Sequence, residues 1–320
     1  MYITSLDVCL KLILREVFLL KLENVLKEFI FDCEVKKFSQ KTIKSYKNNA
    51  LYLFNFLEEK YEISEIENVT SMQIKDFLQT LWSNGRKATY TNGLLKGYRS
   101  FFNYACNEEY IQINPCVKVP WGKEDKTIIK TFENKDIRNM LSVYNGRDYI
   151  SVRNKAILAM LVDTGIRNNE LCTLENSNIF ETYIRIFGKG YKERVVGKSP
   201  YLAKILMRYE QTKEGYFQYK NINYPNYFLS KNGRPLTVEA VERIVAKAGE
   251  LANVDETVRC SPHTLRHFFA QSQLRNNLDV YSLSRLMGHE NIKITQSYLQ
   301  GMQDKDIVAR GISSSPLMNL

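Results

Sequence analysis

In the first third of the chain, apolar residues recur every three to four positions, the period of an amphipathic helix. Ile43, Tyr46, Ala50, Leu53 and Leu57 form one stripe, and Ser39 ahead of it is a good N-cap. Thr70 stands in the same relation to Ile74, Phe77, Leu78 and Leu81, a pattern that stops before Gly85. A third helix is predicted over about 91–106, with Leu94, Leu95, Tyr98, Phe101 and Phe102 on its apolar side, and Asn114-Pro115 closes the region. Upstream, Leu6, Leu10, Ile13, Val17 and Leu20 also keep helical spacing. Asp7, Lys11, Arg15 and Glu16 make that stretch too charged to span a membrane. It reads as an amphipathic extension or as translated upstream sequence without function.

The second half mixes periods. Residues 151–164 form a strongly apolar helix that Gly165 stops. Residues 183–187 and 194–196 read as two strands joined through Gly188-Lys189-Gly190, and helices return from Leu236. The expected fold is therefore mainly α with a small β-sheet. Its expected divisions are an extension over 1–20, a helical domain over 21–121, a charged linker over 122–130, and an α+β domain with a tail over 131–320.

A length of 320 residues also favours two domains over one core. The net charge of +10 suits a polyanionic partner such as nucleic acid, and equally a merely basic soluble protein. Lys41, Lys44, Arg86, Lys87, Lys96 and Arg99 are the candidate phosphate contacts of the helical half; a solvated basic face is the plainer alternative. The six cysteines are scattered with no CxxC pair, and no secretory signal is present, as in a cytoplasmic protein with reduced thiols.

The candidate chemistry lies in four words. In SPHTLRHFF, Ser261 caps a helix that Pro262 begins, and His263 and Arg266 share one face at its N-terminus, a natural seat for a phosphate. Alone, a His and an Arg three apart recur by chance. In TGIRNNEL, Arg167 lies between one helix's stop and the next helix's cap at Asn168, with Glu170 close enough to brace it; alone this is a surface ion pair. In GKGYKERVV, Lys189 sits at a hairpin tip, where an ordinary turn lysine is the alternative. In LMGHENIKITQSYL, Gly288 ends a helix, His289 follows, and Tyr298 falls on a short helix over 294–301. All three histidines of the chain lie in this C-terminal stretch, yet carboxylates or cysteines at ligand spacing are missing, so no metal and no other cofactor is expected.

Taken in order, arginine, lysine, HxxR, GH and tyrosine, these words resemble the tyrosine recombinase (phage integrase) family, from about Leu22 to Gln303. Met287 before Gly288, where leucine is usual, and Gly197 after Val196 depart from its pattern without touching a matched position. The resemblance implies a helical, SAM-like core-binding domain followed by a catalytic domain that cuts and rejoins DNA through a 3′-phosphotyrosine. It implies Tyr298 as nucleophile, His263 as base and Lys189 as acid on the leaving 5′ oxygen. Arg167, Arg266 and His289 would hold the phosphate, with Glu170 and His267 supporting them from behind. The partners implied are a double-stranded DNA core site and further copies of the chain, as a tetramer on two sites, with the tail at Ile307 and Val308 packing on a neighbour. No separate arm-binding domain is expected ahead of the helical one. The rivals are a type IB topoisomerase, a telomere-resolving relative, and a DNA-binding regulator that lost the chemistry.

Overall fold

The computed structural model describes residues 21–124, 130–188, 193–289 and 291–296, and beyond them Tyr298, Val308, Ile312 and Leu317. The extension over 1–20, most of the linker, Lys189 and Ile307 lie outside the described residues. The chain divides into two compact units, Met1–Thr127 and Ile128–Leu320.

Among the described residues of the first unit, four α-helices pack together: α1 (Leu22–Val35), α2 (Gln40–Tyr61), α3 (Ser71–Ser83) and α4 (Ala88–Asn107). Ser39 caps α2 by accepting the Thr42 amide at 3.2 Å, and Gln73 at the start of α3 reaches back to the Thr70 amide at 2.7 Å. The predicted stripes are the core: Ile43, Leu53 and Leu57 of α2, Ile74, Phe77 and Leu78 of α3, and Leu94, Leu95, Phe101 and Phe102 of α4 are all buried. The third predicted helix begins three residues earlier than the pattern suggested, at Ala88. Thr91 shows why: its hydroxyl is spent inside the first turn, donating to the Ala88 carbonyl at 3.0 Å and accepting from the Trp82 indole at 2.9 Å. Past α4, Asn114 ties the exit of the unit down. Its amide donates to the Arg99 carbonyl and to Asn103, and its carbonyl oxygen accepts the Cys116 amide.

The second unit is built around α6. Its elements in order are α5 (Asn134–Val143), α6 (Tyr149–Thr164), α7 (Asn168–Thr173), β1 (Tyr183–Phe187), β2 (Glu193–Gly197), α8 (Pro200–Phe217), α9 (Val238–Leu251), α10 (Pro262–Arg275), α11 (Val280–Met287) and α12 (Ile292–Gln296). Asp148 caps α6, which starts two residues before the apolar run. The helix is buried nearly all round, so its sequence lacks an amphipathic stripe. Even its Arg153 is inside, donating to the Leu229 carbonyl and to Asn154. The two strands pair antiparallel, with Ile184 opposite Val196 and Ile186 opposite Arg194 on the inward face.

Helices α5 and α8 were not anticipated: residues 134–143 carried no assigned element, and after the strands helices were expected to return only from Leu236. The signal for α8 was present in Ser199-Pro200, where the serine oxygen accepts the Leu202 amide at 3.1 Å. Among the described residues no helix is long and apolar enough to cross a membrane, and the five described cysteines are free thiols.

Candidate active site

The site forms where three chain segments meet at the end of α6. Gly165 ends that helix with φ of 59°, and a Cβ there would collide with the Phe269 ring of α10. Only glycine permits this approach, and it brings the Arg167 segment against the helix that carries HxxR. Gly288 performs the matching task at the end of α11. Its φ is 62°, and a Cβ would stand 2.9 Å from the Arg194 side chain. Its turn is closed by the His289 amide donating to the Ser284 carbonyl, which delivers His289 to the site.

Arg266 is the hub. It is 4% exposed, and its guanidinium donates to the Gly165 carbonyl, to the Met287 carbonyl at 2.5 Å and to His289 Nε2 at 3.1 Å. Burial, with Arg167 and Arg194 nearby, brings its pKa down to about 10, so it stays charged at neutral pH. Arg167 is itself the N-cap of α7, one residue earlier than the expected cap at Asn168. Its guanidinium donates to Glu170 at 2.9 Å and to the Gly288 carbonyl at 2.8 Å. Partly exposed, it keeps donors available to a ligand.

Glu170 does more than brace Arg167. Its buried carboxylate also accepts two bonds from Arg194, at 2.8 and 2.6 Å, and the Arg167 amide at 2.9 Å. Burial pushes this carboxyl up, but Arg194 and then Arg167 outweigh it and hold it below its ordinary value. Arg194 in turn donates to the Leu286 carbonyl at 2.9 Å. It therefore ties the hairpin to both α7 and the end of α11. The sequence reading missed Arg194. The one signal was its place two residues before Val196, on the same strand face as a buried apolar residue, where a charge needs a partner.

The three histidines converge with Tyr298. His263 is exposed at the first turn of α10, and its Nε2 lies 2.9 Å from Nε2 of His267. The buried ring of His267 meets Tyr298 edge-on with centroids 4.9 Å apart. His289 lies nearly parallel to the Tyr298 ring at 6.1 Å, and its Nδ1 is 2.8 Å from the Thr295 hydroxyl. Desolvation first, then neighbouring cations and histidines, brings His267 and His289 down to about 4; desolvation, Arg266 and Arg259 also lower His263. All three rings are neutral at pH 7. Tyr298 is 5% exposed and packed with Phe269, Leu283 and Met287. Burial raises its phenol, while Arg266 and Arg167 pull the other way. The helix expected over 294–301 overlaps α12 only at Ile294–Gln296; α12 begins at Ile292, and Tyr298 lies beyond its end. Among the described residues no group of histidine, cysteine and acidic side chains is arranged to hold a metal ion.

The basic residues of the helical unit differ in availability. Lys41, Lys44, Arg86, Lys87 and Lys96 are exposed. Helices α2 and α4 cross closely near Lys96, since a methyl on the adjacent Gly97 would lie 3.7 Å from the Tyr46 ring. Arg86 lies over the Tyr90 ring at 5.6 Å. Arg99 is engaged within the fold: it donates to the Val119 carbonyl at 2.7 Å and stacks on Trp121 at 4.2 Å. The six residues predicted together thus divide into five open cations and one that secures the end of the unit.

Comparison with known proteins bears on the same segments. The Phage integrase family model matches residues 130–304, over half the chain, and the Phage integrase, N-terminal SAM-like domain model matches residues 26–109. Tyrosine recombinase XerD of Halalkalibacterium halodurans is 29% identical over 278 residues, covering 86% of this chain and 92% of the relative. XerD of Staphylococcus aureus is 29% identical over 280 residues, covering 87% and 94%. Two solved structures share the fold at 16% identity. XerH site-specific recombinase, bound to a palindromic difH substrate in a post-cleavage complex, gives a TM-score of 0.71 over 85% of this chain and 80% of that one. A lambda integrase dimer bound to a COC′ core site gives 0.69 over 88% and 96%. With its catalytic-domain model spanning more than half of the sequence, the chain belongs to the phage integrase family, the tyrosine recombinases.

Proposed function

We propose that this site-specific recombinase cleaves a double-stranded DNA core site with Tyr298 and rejoins it through a 3′-phosphotyrosine. The observation that carries the reading is the position of Arg266, bonded at once to the Gly165, Met287 and His289 segments, with Arg167 and Tyr298 facing the same space. Attack on a phosphodiester adds negative charge to its non-bridging oxygens, and two fixed guanidiniums suit that charge in shape and sign. Tyr298 is protonated at neutral pH and must lose its proton as it attacks. His263, neutral and in contact with His267, is the base in this reading, and His267 links it to the tyrosine ring. Lys189 protonates the leaving 5′ oxygen, and Glu170 holds Arg167 at its angle. The covalent link keeps the energy of the broken bond, so a partner strand's hydroxyl reverses the step without ATP. Four copies acting on two sites in the cytoplasm complete the scheme.

The test is strand transfer on DNA in excess EDTA. The scheme routes charge through arginines and a lysine, so cleavage and religation are expected to proceed unchanged. Strict dependence on added magnesium or manganese would contradict it, and binding without any strand transfer would favour a silent regulator.

The exposed lysines give a second expectation. Replacing Lys41, Lys44 and Lys96 together should weaken binding to all DNA sequences alike. It should also flatten the dependence of log K on log salt by roughly one for each phosphate that these lysines no longer neutralise. A change in sequence preference alone, or no change in slope, would remove these residues from the DNA-binding face.

A further inference from the structure

Thr295 stands six residues after His289 and three before Tyr298, and it is completely buried. Its hydroxyl lies 2.8 Å from His289 Nδ1. On the other side of the same ring, Nε2 lies 3.1 Å from an Arg266 nitrogen. A guanidinium has donors only, so Nε2 must be the acceptor and carry no hydrogen. The ring is neutral, because burial and the facing Arg266, Arg167, Arg194 and His267 groups hold its pKa at about 4. Its single proton is therefore on Nδ1 and is donated to the Thr295 oxygen.

We propose that Thr295 is a positioning residue of the strand-transfer site, fixing the His289 tautomer so that Nε2 is the nitrogen turned toward the phosphate. In the free protein Nε2 accepts from Arg266. When a phosphate oxygen takes that Arg266 donor, an unprotonated Nε2 would face an anion, so His289 binds one proton from solvent and becomes a donor. Both states leave Nδ1–H on Thr295, which keeps the ring from flipping while its charge changes. Such a partner sets both the orientation and the tautomer of a working histidine. The inference rests on the proposed role of the site in phosphate binding, but its first readout does not require cleavage.

The experiment is a ring ¹H–¹⁵N correlation spectrum of the full chain labelled with ¹⁵N-histidine at neutral pH. Only three imidazoles contribute, and His289→Gln identifies the signal sought. Wild type is expected to show His289 protonated at Nδ1, Thr295→Ser the same pattern, and Thr295→Val a shift toward Nε2–H or a mixture. On nicked DNA, Thr295→Val should cleave about tenfold more slowly, the cost of one lost hydrogen bond, with DNA affinity unchanged and Thr295→Ser close to wild type. A wild-type ring protonated at Nε2 would overturn the proposal even if the valine variant failed to fold. So would a valine variant that retained the Nδ1–H pattern. If the tautomer is as expected and no variant or wild type attaches to DNA, the reading of the site as a recombinase centre fails and the positioning of His289 stands.

Discussion

Tyr298→Phe is expected to abolish covalent attachment to DNA and to leave DNA binding nearly unchanged. The ring is 5% exposed and packed with Phe269, Leu283, Met287 and the His267 edge, and phenylalanine preserves all of these contacts. Only the oxygen is removed, and without it no phosphotyrosine can form. The measurement is denaturing-gel mobility after incubation with a nicked substrate, alongside a gel-shift titration. Covalent trapping of the variant at the wild-type level would place the nucleophile elsewhere, and a large loss of binding would mean that the hydroxyl has a structural task.

The largest stability effect is expected at Glu170. Its carboxylate is 6% exposed and accepts from both Arg167 and Arg194, and the Arg194 side chain is 9% exposed. Glu170→Ala leaves Arg194 charged, buried and without its partner, a change that costs about 3–5 kcal/mol. Replacing Glu170 and Arg194 together with methionine should cost much less, because no uncompensated charge remains. Denaturant unfolding of the two variants against wild type measures the difference, and equal losses would refute the shared-carboxylate account. The same pair sets an acid dependence. The folded carboxyl lies below its ordinary value, so its contribution is complete above that value and is lost as pH falls through the lowered one.

These two sites also divide what the sequence disclosed from what it did not. Signals read within a few residues were legible. Ser39, Thr70, Ser261-Pro262, Gly165 and Gly288 stand at the helix ends they announced, because capping and left-handed turns are local constraints. The order of arginine, HxxR and tyrosine was legible as a family word. Arg194 was not, because its meaning depends on which strand face it occupies and on a carboxylate 24 residues away. Thr295 was hidden likewise: on a five-residue helix, a threonine becomes informative only once His289 is known to point at it. His267 was expected in a packing or supporting role behind the phosphate-holding residues, and its ring lies against Tyr298 and is bonded to His263, contacts that no local signal in the sequence announced. Arg99 shows the converse. Read from charge it joined the DNA-binding set, and charge gave no sign that its guanidinium also donates to the Val119 carbonyl and stacks on Trp121.

The central claim is which atom becomes joined to DNA. The direct measurement is to trap wild-type protein on a nicked suicide substrate, digest the protein and nucleic acid, and identify the DNA-bearing peptide by mass spectrometry. The expected result is one modified residue, Tyr298, joined to the 3′ phosphate of the cleaved strand with a free 5′ hydroxyl opposite. A phosphate adduct on any other residue, or cleavage that leaves a 3′ hydroxyl and no protein–DNA bond, would contradict it.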